Sequence, residues 1–334
     1  EGTSARNLED LAPLATPAAA CRLGFASDDR SPEELCREGH MDDILRRAVR
    51  CGIDPVTALR MACLSPFEHF RVRERGAVAP GYRADLVFLE DLRHFGVAAV
   101  MKDGAWVWRE GRYTVPFEGA ERRPARSSMR IPSAAALRGK LTVRAEGNVL
   151  HVIGIVPGQL VTEKRERRLR QRGEVLDAKA IGLAKAAVIE RHRGTGNVGV
   201  AFVEGLGIGE GAIASTVAHD SHNIIVAGAD DDDMLRAVDV LRESGGGIVV
   251  VRKSEILGFL PLPIAGLMSE RPCEEVAALH ESHPGAAASL GRRVIANPFM
   301  HLSFLALPVI PHLKVTDRGL FDVDRFEFIP LTGD

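Results

Sequence analysis

From residue 149 to residue 251, short apolar runs alternate with polar turns and a helical stretch, and no other feature restricts the fold more. Val149–Val156, Val198–Val203, Asn223–Gly228 and Gly247–Val251 have the length and bounding turns of buried strands. Asp232–Glu243 has the pattern of a helix, and a further helix is expected near Cys273–His283. Leu141–Arg144 and Val149–Val156 flank Glu146-Gly147-Asn148, which predicts a hairpin. A chain patterned this way builds a mixed α/β domain, from about residue 135 to the end. No run approaches about 18 consecutive apolar residues, so no membrane helix is expected.

The first part of the chain has a different texture. Residues 5–14 read as a short helix stopped near Pro13, and Cys21–Ser27 as a buried strand running into Asp28-Asp29-Arg30. Met41–Cys51 has helical periodicity and stops at Gly52. Asp54-Pro55 opens the next helix, a capping carboxylate followed by proline at the first helical position. Beyond Gly76, Ala84–Leu89 and Val97–Met101 read as strands, and Asp103-Gly104 turns the chain into Ala105–Trp108. The Arg-, Pro- and Ser-rich stretch 118–133 reads as a linker. At 334 residues there is room for about two domains.

Charge and cysteine usage narrow the function. Lys plus Arg number 43 against 45 for Asp plus Glu, a net charge of -2, where a dedicated nucleic-acid binder carries a basic excess. Neither nucleic acid nor membrane is expected as a partner. The five cysteines form no Cys-x-x-Cys pair, which excludes a zinc ribbon and fits a reducing, cytoplasmic setting. Pro272-Cys273 is not followed by the second cysteine that a cytidine-deaminase-type zinc site requires.

Two clusters could carry chemistry. Asp28-Asp29 falls at the carboxyl end of the expected strand, where barrels of parallel strands collect catalytic residues. A carboxylate there can ligate a metal and take a proton from water; a turn with an Asp helix cap competes with that reading. His40 has the same standing, a capping or surface residue as readily as a catalyst. His219-Asp220-Ser221-His222-Asn223 is the densest polar group and lies between two apolar runs. It suits a hydrogen-bonding cluster at a pocket or domain interface, with a plain turn as the alternative. In an extended segment His219 and His222 face opposite ways, which favours domain docking over orienting a ligand and argues against shared metal chelation. His280 and His283 repeat the spacing at the expected end of a helix before Pro284-Gly285 and read as surface. The cation-rich run Lys164–Arg172 reads as a solvated helix face, and the glycines of 205–211 and 245–247 as turn glycines.

Taken together these pieces resemble the adenine deaminases of the amidohydrolase superfamily. The resemblance is carried by Ser27-Asp28-Asp29-Arg30 with Glu38-Gly39-His40-Met41-Asp42, and by Ala79-Pro80-Gly81-Tyr82-Arg83-Ala84-Asp85-Leu86-Val87. More specific are Glu190-Arg191-His192, the segments Gly211–Asn223 and Pro261–Ser269, and Leu313-Lys314-Val315-Thr316-Asp317-Arg318-Gly319-Leu320-Phe321. The resemblance runs from Glu1 to about Leu331 and implies three parts. Residues 1–70 would be the C-terminal end of a (β/α)8 barrel, 71–125 part of a small β-sandwich, and 126–334 a C-terminal mixed α/β domain. It implies hydrolytic deamination of adenine to hypoxanthine and ammonia in purine salvage, a divalent metal (manganese or iron, with zinc as an alternative) and a homo-oligomer. Of the residues that hold the metal and move protons, only Asp28 transfers by position. The family's His-x-His and its middle-strand Glu and His ligands have no counterpart here, so the chain is expected to begin inside the barrel. A catalytically silent binding or assembly module is the rival expectation. His219, Asp220, Ser221 and His222 are left to orient the purine or dock the C-terminal domain.

Overall fold

The computed structural model describes residues 2–3, 6–115, 128–170 and 172–334, and the chain divides into two units, Glu1–Arg123 and Pro124–Asp334. Much of the expected linker 118–133 lies outside the described residues.

The first unit is a set of short helices followed by a small sheet. Its helices are α1 (Leu8–Leu11), α2 (Pro32–Arg37), α3 (Met41–Arg50), α4 (Pro55–Ala62) and α5 (Leu64–His69). Asp54 caps α4 as its sequence demands, its carboxylate accepting the Thr57 N–H at 2.9 Å and the Thr57 hydroxyl at 3.0 Å. Strands β1 (Leu86–Leu89), β2 (Val97–Lys102), β3 (Ala105–Arg109) and β4 (Arg112–Tyr113) form an antiparallel meander in that order. Leu8, Leu45, Ala48, Ile53, Ala58 and Phe95 close the core of this unit.

Cys21–Ser27 is not a strand. Ala20–Arg22 forms a 3₁₀ turn, and the backbone N–H groups of Arg22, Leu23 and Phe25 donate to Ala19, Ala20 and Met61. A buried strand needs a ladder on at least one flank, and among the described residues none borders this segment, so its apolar side chains settle against helices instead.

The second unit is built on a nine-stranded sheet. Helix α6 (Ala134–Leu141) precedes β5 (Val149–Ile155), β6 (Thr162–Arg168), β7 (Ala184–Ile189), β8 (Val198–Glu204), β9 (Ala212–Ser215) and β10 (Ile224–Gly228). Then follow α7 (Asp231–Ser244), β11 (Gly247–Arg252), β12 (Glu255–Pro261), α8 (Cys273–Ala288) and α9 (Pro298–Leu305). A small sheet of β13 (Leu313–Thr316), β14 (Gly319–Asp322) and β15 (Glu327–Phe328) precedes β16 (Thr332–Gly333). The large sheet runs β12-β11-β9-β10-β7-β8-β5-β16, with β6 paired to β5 on its outer side. Among the described residues of this sheet, only the β5–β8 pairing is parallel.

Side chains alternate between two cores. Ala186, Val188, Ile213, Ile225 and Val250 face one, with Leu302 and Leu305 of α9. Ala187, Ile189, Ala214, Val226 and Val249 face the other, with Leu235, Val238 and Leu241 of α7. Both faces are covered, which is why these strands read as continuous apolar runs rather than alternating ones. Helix α7 begins where Asp230 accepts the Asp233 N–H at 2.9 Å and ends at Gly245, whose φ of 79° a side chain resists.

Three expectations fail here. Residues up to Leu141 end α6, so the hairpin with 149–156 does not form; β5 pairs instead with β6, β8 and β16. Lys164–Arg168 lies in a strand, its charges answered by Asp322, Asp324, Glu163 and Glu204. Alternation in such a charged run is invisible to a hydrophobic period. Helix α8 passes through Pro284 to Ala288 and carries His283 into the interior, where it is 1% exposed. Its Nδ1 lies 2.6 Å from the Leu279 carbonyl and its Nε2 3.2 Å from that of Ile248. Among the described residues no helix is long and apolar enough to cross a membrane.

Candidate functional site

Asp28 sits on a bend with φ 50° and is solvent-exposed. Its carboxylate makes no hydrogen bond or ion pair among the described residues, and it does not end a strand. Both flanks are anchored. Upstream, the Thr3 N–H donates to the Asp29 carbonyl at 2.8 Å, and the Ser31 N–H donates to Thr3 Oγ1 at 2.9 Å. Downstream, the Arg30 side chain, 1% exposed, reaches the Gly39 carbonyl at 2.7 Å, Glu38 at 3.0 Å and Asp43 at 2.9 Å. His40 Nε2 lies 2.8 Å from Ser27 Oγ. The bend is therefore tied to the start of α3, and His40 belongs to that tie. The same unit holds a largely apolar cleft of about 940 Å³; His40 and Asp42 line it and Asp28 does not.

In the second unit, the His219–Asn223 segment is a turn rather than an extended strand, closed by the His222 N–H donating to the Ala218 carbonyl at 2.6 Å. The turn brings the His219 and His222 rings to 6.1 Å between centroids. This removes the alternation that favoured docking. The His219 ring stacks on Phe304 of α9 at 4.6 Å, and the His219 backbone N–H donates to Ser303 Oγ at 3.3 Å. Asp220 and Ser221 are exposed, while the Ser221 carbonyl meets His192 Nε2 at 2.8 Å. Burial, together with the nearby His219 and Arg191, pushes the His222 imidazole below its ordinary pKa.

Glu190 and Arg191 lie under this turn. Burial would raise the Glu190 carboxyl, but N–H donors from Arg193, Thr195 and His192 overcome it and bring its pKa to about 2. Arg191, 1% exposed, donates to the carbonyls of His222 and, at 2.9 Å, Ala265. Sequence reasoning missed Arg30 and Arg191 as residues of consequence. Both stand inside the motifs quoted above, and the only available signal was an arginine within an otherwise short or apolar segment. Among the described residues, no three His, Cys, Asp or Glu side chains converge in a group that could hold a metal ion.

The adenine deaminase C-terminal domain family matches residues 159–327, and the amidohydrolase family matches residues 5–107. An adenine deaminase of Desulfatibacillum aliphaticivorans is 44% identical over 332 residues, covering 99% of this chain and 58% of that protein. One of Methanothermobacter thermautotrophicus is 47% identical over 330 residues, covering 98% of this chain and 59% of that protein. One of Halalkalibacterium halodurans is 40% identical over 331 residues, covering 98% and 57%. The chain thus spans less than two thirds of the length of these curated relatives.

Proposed function

Since the chain belongs to the adenine deaminase C-terminal domain family, and its first hundred residues to the amidohydrolases, we propose that it forms part of an adenine deaminase. The reaction is the hydrolytic exchange of the C6 amine of adenine for oxygen, yielding hypoxanthine and ammonia. One observation carries this reading: relatives named adenine deaminase align with 99% of the chain, through both units. In this reading 1–70 is the end of a (β/α)8 barrel, 71–125 part of a β-sandwich and 126–334 the C-terminal domain. A cytoplasmic homo-oligomer in purine salvage completes it.

Asp28 takes the proton of the attacking water and returns it to the departing amine. Its exposed carboxylate on an anchored bend suits that exchange, because it is held in place without a partner that would compete for the proton. The divalent ion that amidohydrolases generally use, read here as manganese or iron with zinc as the alternative, finds no complete donor set among the described residues. His219, Asp220, Ser221 and His222 form a hydrogen-bonding cluster of the second unit, with both rings brought together by the turn.

The test is turnover of adenine, followed as ammonia release, by a full-length enzyme that includes this chain. Hypoxanthine must form, and Asp28→Asn must stop it. A full-length protein that binds adenine without converting it would instead support a silent binding module.

A further inference from the structure

The segment from Ser27 to Met41 is held by polar bonds rather than by apolar burial. Helix α2, in its middle, buries none of its six residues. Asp28 keeps φ 50°, a sparsely populated region that persists only where the surroundings impose it.

Two clasps impose it. On one side residues 2–3 lie across the bend, where the Thr3 N–H donates to the Asp29 carbonyl and Thr3 Oγ1 accepts the Ser31 N–H. The approach demands glycine: a Cβ at Gly2 would lie 3.2 Å from Asp28 Cβ and 3.1 Å from the Asp29 carbonyl oxygen. On the other side the Arg30 guanidinium reaches the start of α3. It donates to the Gly39 and His40 carbonyls at 2.7 and 3.3 Å and pairs with Glu38 and Asp43. Glu34 joins the clasps. Its Oε2 accepts the Thr3 hydroxyl at 2.6 Å and lies 3.9 Å from Arg30 Nε, while its Oε1 accepts from Arg6 at 2.8 Å.

Burying a guanidinium carries a desolvation penalty, and an apolar side chain would hold a loop with a smaller one. What the guanidinium supplies is direction, because its planar fork fixes angles as well as distances. A group that moves protons needs that direction. It must stay within hydrogen-bond reach of the reacting atoms, and a displacement of about 1 Å can cost about 100-fold in rate. The Asp28 carboxylate has no partner among the described residues, so its aim is set through the backbone that Arg30 and Thr3 fix.

We propose that Arg30 is a positioning residue for the deamination: it fixes the bend from which Asp28 exchanges protons with the attacking water and the departing amine. This rests on the reading that Asp28 carries that exchange, and every residue it invokes belongs to the first unit.

Two measurements on the full-length enzyme separate the proposal from the reading beneath it. Amide hydrogen exchange reports the bend, and steady-state kinetics report adenine KM and kcat. In Arg30→Met, exchange at Thr3 and Ser31 should quicken about 10-fold or more, while the amides of α4 keep their protection. The kcat should fall about 100-fold with KM within about 3-fold. Arg30→Lys, which keeps the charge but loses the fork, should recover part of kcat. Protection lost throughout the unit, α4 included, would make Arg30 an ordinary stabilising residue and overturn the positioning role. A normal kcat in Arg30→Met beside an inactive Asp28→Asn would overturn it too. An active Asp28→Asn removes the reading itself, and the proposal with it. Should Arg30→Met fail to fold because Asp43 is left unpaired, Arg30→Met combined with Asp43→Asn removes that stranded charge. The same fall in kcat at constant KM is required of the double variant, and a normal kcat there overturns the proposal.

Discussion

The two units bury apolar surface in opposite styles. The large sheet is covered on both faces, and its two principal cores hold 23 and 16 buried residues. The first unit closes around seven and leaves Val78 89%, Phe70 74% and Val56 64% exposed. Yet the residue assigned the proton transfer, Asp28, lies in the first unit, and the best-packed machinery lies in the second. Stability and chemistry are thus distributed unequally along the chain. A site on a small, anchored bend can be altered without disturbing the sheet, whereas the residues around Arg191 cannot.

The largest expected effect tests the chemical side. Asp28→Asn in the full-length enzyme should lower kcat by about 10⁴, near 5.5 kcal/mol in the barrier, with no loss of thermal stability. Asparagine tolerates the left-handed backbone at this bend, and the carboxylate has no partner to lose. If Asp29→Asn is the dead variant and Asp28→Asn is nearly normal, the assignment is off by one residue.

The packing side is tested by a pair of leucines. Leu241→Ala, fully buried in α7, should cost about 3–4 kcal/mol in chemical denaturation. Leu11→Ala, 56% exposed in the first unit, should stay within about 0.5 kcal/mol. Equal losses at the two positions would erase the contrast drawn between the units.

Next comes pH. Glu190 has a folded pKa of about 2 against an ordinary 4.5, so the unfolded chain binds the proton more readily. Its contribution, roughly 3 kcal/mol at about 1.4 kcal/mol per unit, is complete above pH 4.5 and is lost as pH falls toward 2. Glu190→Gln should therefore weaken the second unit at neutral pH and flatten its acid unfolding curve. An acid curve that the substitution leaves unaltered rules this out.

The smallest effect has the opposite sign. Lys314 is 0% exposed, and burial lowers its pKa to about 8, with the Leu160 carbonyl 3.2 Å from Nζ. Below pH 8 the buried ammonium weakens the fold in full, and stability recovers as pH climbs from 8 toward 10.5. Lys314→Met should raise stability at pH 7 by about 1–2 kcal/mol, and the gain should shrink toward pH 10.5. A lower melting temperature at pH 7 would show that the amine is worth more than its burial costs.

How far the sequence disclosed all this depended on the kind of force involved. Asp54-Pro55, Gly52 and Asp103-Gly104 announce their helix and turns because backbone conformation at those positions is set locally. The runs from Val198 to Val251 announced the buried strands of a mixed α/β domain through continuous apolarity. Cys21–Ser27 misled because apolar composition cannot report whether a neighbouring strand is present. Asp28 was singled out by an expected strand that does not form and by the motif around it. His219 and His222 were visible as a cluster, but their turn depends on Ser303 and Arg191, far away in sequence, so their common orientation was not. Arg30 and Arg191 were illegible for the same reason: burial of a guanidinium is decided by what folds over it.

The outer strand β6 has a further consequence. A sheet this wide ends in unpaired peptide groups, an invitation for a second copy of the chain to continue the ladder. Six consecutive charged residues, Glu163–Arg168, follow Thr162 along that margin, five of them with exposed side chains. Any approaching strand would have to strip water from them and disturb their existing ion pairs with Asp322 and Glu204. The margin therefore resists fibrillar growth while the sheet keeps its full width. Neutralising Lys164, Arg165 and Arg167 together would be expected to appear first as concentration-dependent turbidity, before any change in the folded protomer.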